Sequence, residues 1–252
     1  MSPGADARHE EAERLRPFFD AQLRFAEALA AATSRALGET CLEFTNLHRR
    51  FGLGRVEVGA PSPQWARFGD GLVRCASPTE RLDWTVAFFA AAPVQESVTR
   101  RFGCFSYELA GEGDIVRIHF SSRDGDDVSP LALAKVDRRL ADLRAMIADV
   151  RDRHPGARTV RGGSWLYNLA AYRRLFPPTY AASVFTPERV RLDGTSSWGQ
   201  LLDFRGEVKP AARQALLDAL PSLDPAAPWT AFPLRALGAE APIEAFHETY
   251  GG

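Results

Sequence analysis

The chain of 252 residues has few cysteines and few methionines, and neither charge is in excess. Its three cysteines, Cys41, Cys75 and Cys104, lie far apart and form no CxxC pair. This spacing excludes a disulfide framework and a cysteine-ligated zinc site, and no other metal site is predicted. We expect reduced, mostly buried thiols in a cytoplasmic protein.

Charge and hydropathy exclude two classes of partner. The net charge is -1, from 31 basic and 32 acidic side chains, so nothing draws the whole chain to nucleic acid or to an anionic membrane. No apolar run approaches the roughly 20 residues that span a bilayer, and the N-terminal residues lack the apolar core of a secretory signal. We predict a soluble protein with neither partner. Arginine outnumbers lysine and alanine is abundant, which is typical of a bacterial source with GC-rich codons.

The N-terminal part is predicted to be helical. Apolar residues at helical spacing predict a long helix over residues 7–37, with Pro17 at a start or kink and Gly38 at its end. A second, short helix is expected over residues 41–51. Residues 54–76 are rich in glycine and proline and are predicted to be an irregular connection.

A clear helix start follows at residues 77–80, with the sequence Ser-Pro-Thr-Glu. Ser77 can cap the first free backbone N–H groups, the proline suits the first helical position, and Glu80 can close a capping box. The helix should end before Pro93, because the residue before a proline disfavours the helical conformation. Residues 1–94 are therefore predicted to form a helical N-terminal subdomain.

From Phe102 onwards the hydrophobic pattern has a period of two, which predicts strands. Residues 102–109 and 114–120 are expected to form a hairpin with a glycine-containing turn at residues 111–113. Side chains of the second strand alternate between two faces. One face carries Val116, Ile118 and Phe120, and the other carries Ile115, Arg117 and His119.

A long amphipathic helix is predicted after the hairpin, starting at Ser129 and Pro130. The next strand, over residues 157–164, should return beside the hairpin by a right-handed crossover. The apolar stripe of the helix consists of Val136, Leu140, Leu143, Ile147 and Val150. The remaining elements are a short helix over 172–176, a strand over 197–204, a helix over 210–220 and a proline-rich tail.

These elements together predict an α+β protein. Residues 95–252 should form a mixed, mostly antiparallel sheet flanked by helices. Residues 1–94 should pack on that domain so that the two behave as one unit.

The order hairpin, helix, strand and short helix over residues 102–204 resembles the central unit of the GNAT acyltransferase fold. It is most similar to the C-terminal GNAT-like domain of some bacterial acyltransferase-related proteins. The resemblance implies a GNAT-like core with a cleft, and coenzyme A as the cofactor if the protein is an acyltransferase. The matching residues are Ile118-His119 at a strand end, the helix from Pro130, Ser164-Trp165-Leu166 at the next strand end, and Leu175-Phe176-Pro177.

The loop at which GNAT enzymes hold the pyrophosphate of coenzyme A is acidic in this chain. That loop usually carries glycines, whose backbone N–H groups attract phosphate together with the following helix N-terminus. Here it carries Asp124, Asp126 and Asp127 against a single Arg123. Three carboxylates repel a diphosphate, so no cofactor is predicted and coenzyme A is disfavoured. A match to the glycine pattern at residues 49–54 ends a predicted helix, which is typical of a helix terminus.

The polar face of the second hairpin strand carries the main candidate for chemistry. His119 lies beside Arg117 near the strand end, where it can serve as a base or hold an acidic ligand; a histidine hydrogen-bonded at a sheet edge is the simpler interpretation. The aromatic segment 165–180 is predicted to form either the wall of a pocket or the seam between two layers of the fold. The candidate ligand-binding residues are Arg117, His119, Arg161, Trp165, Asn168 and Tyr172.

The leading functional prediction is a protein that binds a small molecule in a GNAT-like cleft, with His119 as the candidate catalytic residue. One alternative is a non-catalytic module that docks a partner chain or a second copy through the aromatic segment 165–180. A second alternative is an N-acyltransferase that depends on acyl-coenzyme A.

Overall fold

The computed structural model describes residues 3–54, 62–92, 100–122 and 124–251. The protein is α+β, and its described residues form twelve α-helices and five strands. The helices are α1 (Pro3–Arg14), α2 (Arg16–Thr33), α3 (Leu37–Phe44), α4 (Leu47–Arg50), α5 (Pro63–Arg74), α6 (Pro78–Ala91), α7 (Val136–Arg153), α8 (Ala170–Arg173), α9 (Pro178–Ala182), α10 (Thr195–Trp198), α11 (Pro210–Ala219) and α12 (Ile243–Tyr250). The strands are β1 (Arg101–Phe102), β2 (Phe105–Ala110), β3 (Ile115–Phe120), β4 (Thr159–Ser164) and β5 (Leu237–Pro242). Short 3-10 helices cover Leu133–Lys135, Trp165–Asn168, Gly199–Leu201, Leu220–Ser222 and Pro228–Ala231.

The described residues divide into two compact units. The first contains those of Met1–Glu96 together with Arg189–Arg235, and the second contains those of Ser97–Glu188 together with Ala236–Gly252. The boundary predicted at residues 94 and 95 lies outside the described residues. Residues 189–235, which the sequence pattern assigns to the sheet domain, group with the N-terminal helices. Within the described part of the chain, no helix is both long enough and apolar enough to cross a bilayer.

The first unit is built around α2 and the rings that pack on it. Trp198 is fully buried and meets Phe18, Phe25 and Phe232 edge-on. The ring centroids are 6.3, 5.4 and 4.8 Å away, respectively. The indole N–H of Trp198 donates to the carbonyl of Leu192 at 2.9 Å. Aromatic packing at these distances joins the late sequence segment to the N-terminal helices in one core.

Two predicted helices of this unit have different bounds in the structure. The helix predicted over residues 7–37 is interrupted at Leu15, two residues before Pro17. Helix α2 ends at Thr33 and is followed by Ser34, whose φ is 54°. Gly38, which is predicted to end the helix over residues 7–37, lies inside α3. The helix predicted over residues 41–51 is likewise divided into α3 and α4, because Thr45 is extended.

The prediction of an irregular connection over residues 54–76 is wrong over Pro63–Arg74, which form α5, and its residues 55–61 lie outside the described residues. Ser62 caps that helix by accepting a hydrogen bond from the N–H of Trp65 at 3.2 Å. The Ser77 cap before α6 is confirmed, and Glu80 reaches back as predicted, but to the N–H of Ala76 rather than to that of Ser77. The Ser77 hydroxyl accepts from the N–H of Glu80 at 3.2 Å, and the Glu80 carboxylate accepts from the N–H of Ala76 at 2.9 Å.

The second unit is an open sheet of the described strands in the order β1-β2-β3-β4-β5. The β3–β4 pair is parallel and the other pairs are antiparallel. The predicted hairpin and the parallel return of the following strand are therefore confirmed. Helix α7 covers one face of the sheet. There Val116, Ile118 and Val160 are buried together with Leu143, Met146, Ile147 and Val150.

Three predictions for the later chain are wrong. The helix predicted from Pro130 begins at Val136, after a 3-10 turn over Leu133–Lys135. The strand predicted over residues 197–204 is mostly α10 and a 3-10 turn. The proline-rich tail contains β5 and α12, which the sequence pattern does not indicate.

Candidate functional site

The face of the sheet opposite α7 carries four charged side chains in a line. Glu108 of β2 pairs with Arg117 of β3, Arg117 with Arg161 of β4, and Arg161 with Glu240 of β5. Paired residues on neighbouring strands point to the same face, so these four form one row, which we call the charged row. Their side chains are between 28% and 43% exposed, and the row therefore faces solvent.

Each arginine of the charged row is paired with the glutamate on its outer side. Arg117 Nη1 lies 3.2 Å from Glu108 Oε1, and Arg161 Nε lies 2.5 Å from Glu240 Oε2. His119 lies beside the row, with Nε2 at 3.4 Å from Glu108 Oε1. Solvent-exposed ion pairs of this kind stabilise a fold by less than about 1 kcal/mol each, so the arginines can exchange these partners for a ligand at little cost.

The strands that carry the two arginines pair over only part of their length. The register joins Ile115–Arg117 to Thr159–Arg161, whereas β3 continues to Phe120 and β4 to Ser164. Arg117 and Arg161 are thus the last residues of this parallel ladder. His119, two residues further along β3, points to the same face as the charged row.

On the other face, tyrosines fill the space at the same strand ends. The hydroxyls of Tyr167 and Tyr180 are 2.6 Å apart, and both rings are buried. Burial raises the pKa of both hydroxyls, so they remain protonated. Gly162 lies against them, and a β-carbon there would stand 1.8 Å from the Tyr167 hydroxyl oxygen.

We expect Gly162→Ala to lower the free energy of unfolding by about 1–3 kcal/mol, because the added methyl group overpacks this tyrosine contact. Gly163→Ala is the matched control, since a β-carbon at Gly163 has no heavy atom within 4 Å. Urea denaturation of both variants measures the difference. Equal midpoints for the two variants would contradict the close approach of Tyr167 to β4.

The structure brings together three of the six predicted ligand-binding residues, Arg117, His119 and Arg161, on one face. Trp165 and Asn168 follow in the turn after β4, where the Asn168 side chain donates to the carbonyl of Trp165 at 2.7 Å. Tyr172 does not share that face. It is buried in the core, with its ring near those of Phe120, Tyr167 and Phe176.

The aromatic segment 165–180 lies largely inside the second unit. The core seam predicted for this stretch is confirmed for its four inner rings. The buried residues are Tyr167, Tyr172, Phe176 and Tyr180.

Two aspartates of the acidic loop before α7 form ion pairs with basic residues that follow the loop in the chain. Asp124 is almost fully buried and accepts hydrogen bonds from Lys135 Nζ at 2.8 Å and from Arg139 Nη2 at 3.0 Å. Asp126 bonds the same ammonium at 2.6 Å. Burial alone would raise the pKa of Asp124, but the bonds from Lys135 and Arg139 outweigh it and hold that pKa below its usual value. Asp127 is exposed, and Arg123 lies outside the described residues.

Two members of the charged row, Glu108 and Glu240, are absent from the sequence-based set. Glu108 follows from the hairpin, because an antiparallel register from the turn places it opposite Arg117. Glu240 does not follow, since β5 has no clear strand signal. Compared with known proteins, the chain matches no protein-family model, no curated protein and no solved structure. A functional assignment therefore depends on the chemistry of the site itself.

Proposed function

We propose that the second unit is a GNAT-like module that binds a small carboxylate-bearing molecule at the ends of β3 and β4. The observation that carries this proposal is the register. Arg117 and Arg161 are directly paired on parallel strands, at the last position of their ladder, with His119 just beyond. The order of hairpin, long helix and parallel strand supports the GNAT-like description.

The charge pattern favours an anionic ligand with a polar or cationic neighbouring group. A carboxylate can accept hydrogen bonds from both guanidinium groups at once, and arginine is well suited to such contacts. Displaced from their arginines, Glu108 and Glu240 would then be free to pair with an amine on the same ligand. An amino-carboxylate therefore fits the row better than a simple anion.

Coenzyme A fits the second unit less well. Lys135 and Arg139, two cations near the start of α7, already bond Asp124 and Asp126. A diphosphate would have to displace those carboxylates from a mostly buried network. Binding without acyl transfer is therefore the function we propose, and docking through the segment 165–180 is not, because its inner rings are buried.

A thermal-shift titration tests the proposal with acetate, succinate, citrate, glutamate, coenzyme A and acetyl-coenzyme A. At about a hundred times its dissociation constant, a bound ligand stabilises the fold by roughly 2.7 kcal/mol, which corresponds to a rise in Tm of about 5–10 °C. We expect succinate, citrate or glutamate to raise Tm by this amount beyond any rise in acetate at the same ionic strength, and Arg117→Ala/Arg161→Ala to abolish that excess.

Arg35→Ala is the control for loss of an exposed ion pair, since Arg35 bonds Glu43 at 2.6 Å in the first unit. It should respond as the wild type does. If none of these three raises Tm beyond acetate, or if the excess survives in the double variant, the charged row is not the site. A response to coenzyme A that survives in the double variant would support the acyltransferase alternative.

A further inference from the structure

In the first unit, α2 and the turn leading into α4 face each other through two pairs of side chains. Phe18 and Gln22 are four residues apart on α2. Asn46, which precedes α4, and Arg50, which ends it, are also four residues apart, so each pair shares one face. The Gln22 Oε1 accepts a hydrogen bond from the N–H of Asn46 at 2.9 Å. The Arg50 guanidinium carbon lies 5.1 Å from the centre of the Phe18 ring. The four side chains therefore lie together in one small region.

Buried polar atoms in this region lack hydrogen-bond partners. Gln22 and Asn46 are fully buried. Among the described residues, Gln22 Nε2, both amide atoms of the Asn46 side chain and Arg50 Nε are buried without a hydrogen-bond partner. The orientation of Gln22 is fixed by its bond to Asn46, so its Nε2 is a donor. Buried polar groups are nearly always bonded, and the unpartnered donors of Gln22, Asn46 and Arg50 therefore point to a bound acceptor.

Arg50 also brings a positive charge that no described carboxylate neutralises through an ion pair. The charge of Glu11 favours the protonated form of Arg50, but the Glu11 carboxylate accepts a hydrogen bond from Arg8 at 2.8 Å. The Arg8 side chain lies close as well, since its Nη2 donates to the Arg50 carbonyl at 3.5 Å. Burial lowers the pKa of Arg50. Arg50 is partly buried and its Nε is fully buried, and a partly desolvated guanidinium of this kind is stabilised by a nearby anion.

We propose that this region binds one small oxyanion, a carboxylate or inorganic phosphate, which accepts hydrogen bonds from Gln22, Asn46 and Arg50. Ordered water alone would satisfy the two amides but would leave the guanidinium charge uncompensated. Phe18 supplies an apolar wall beside the guanidinium. The site belongs to the first unit and does not depend on the function proposed for the charged row.

The test compares Tm in acetate, inorganic phosphate and chloride at equal ionic strength. It is made in the Arg117→Ala/Arg161→Ala background, so that anions held by the charged row do not contribute. We expect acetate or phosphate to raise Tm by about 3 °C or more over chloride. Arg50→Gln should abolish that rise, and Arg35→Gln, at an exposed arginine, should retain it.

Asn46→Asp provides the sharper variant, because it places a carboxylate beside Arg50 within the chain. It should have a higher Tm in chloride than its parent and no further response to acetate or phosphate. Equal Tm values of the parent in all three salts would mean a site for water only and would overturn the proposal. A response that persists in Asn46→Asp would also overturn it, and this reading holds even if Arg50→Gln does not fold.

Discussion

Replacing Arg139 with leucine should lower the free energy of unfolding of the second unit by about 3–5 kcal/mol. The Arg139 side chain is fully buried, 3.0 Å from Asp124 and 3.1 Å from Asp142. Leucine would leave both carboxylates with fewer donors in surroundings of low dielectric constant. The cost comes mainly from these stranded charges rather than from the lost attraction, since a buried ion pair must first offset its own desolvation.

Arg138→Leu is a closely matched control for this substitution. Arg138 precedes Arg139 in α7 and lies 3.5 Å from the same Asp124, but its side chain is 57% exposed. It should cost less than about 1 kcal/mol. Urea denaturation of both variants measures the difference, and adding Asp124→Leu to Arg139→Leu should restore part of the stability. If the two single variants unfold at the same urea concentration, the buried network is not what holds the acidic loop.

Trp198→Ala should destabilise the first unit by a similar amount, about 3–5 kcal/mol. The ring is fully buried among Phe18, Phe25 and Phe232, so alanine would leave a large cavity. Hydrogen exchange should also become faster in α2, because the lost contacts lie on that helix. Urea denaturation and exchange mass spectrometry provide the two measurements.

Trp198→Phe separates ring packing from hydrogen bonding at this position. Phenylalanine keeps most of the aromatic contacts but loses the indole N–H, which donates to the carbonyls of Leu192 and Phe44 at 2.9 and 3.2 Å. Its cost should be about 1–3 kcal/mol, the penalty for buried acceptors without a donor. A cost below 1 kcal/mol for Trp198→Ala would contradict the placement of residues 189–235 in the core of the first unit.

Elements with a strong local signal could be predicted from the sequence. The start of α6 is encoded by Ser77 and Glu80. The Ser77 hydroxyl accepts from the N–H of Glu80, and the Glu80 carboxylate accepts from the N–H of Ala76. The β2–β3 hairpin is encoded by alternation and by Gly111 and Gly113, both of which have positive φ. In each case the residues that determine the conformation are neighbours in the chain, so the pattern contains the necessary information.

The missed elements depend on distant partners. The strand β5 consists largely of glycine, alanine and proline, which have low strand propensity; it is a strand because it pairs with β4 along six residues. Gly238 fits there because the Phe185 ring occupies the space of a side chain, 2.5 Å from where a β-carbon would lie. The residues near Trp198 have a strand-like pattern but turn helical, so that the indole enters the core of the first unit.

The candidate site shows the same division. Alternation along β3 is enough to place Arg117 and His119 on one face, and the parallel crossover brings Arg161 beside them. The sequence alone could not show that Tyr172 does not share this face, because the position of its side chain depends on how the chain turns after β4. The buried state of Asp124 also depends on cations from α7, which the loop sequence does not contain.

Hydrogen exchange of the second unit with and without a bound carboxylate tests the central claim most directly. The probe is whichever of succinate, citrate and glutamate gives the largest thermal shift beyond that in acetate. The account predicts slower exchange in peptides that cover residues 117–120 and 161–165, and no such protection in Arg117→Ala/Arg161→Ala. Unchanged exchange at those two strand ends, or protection confined to other parts of the unit, would contradict it.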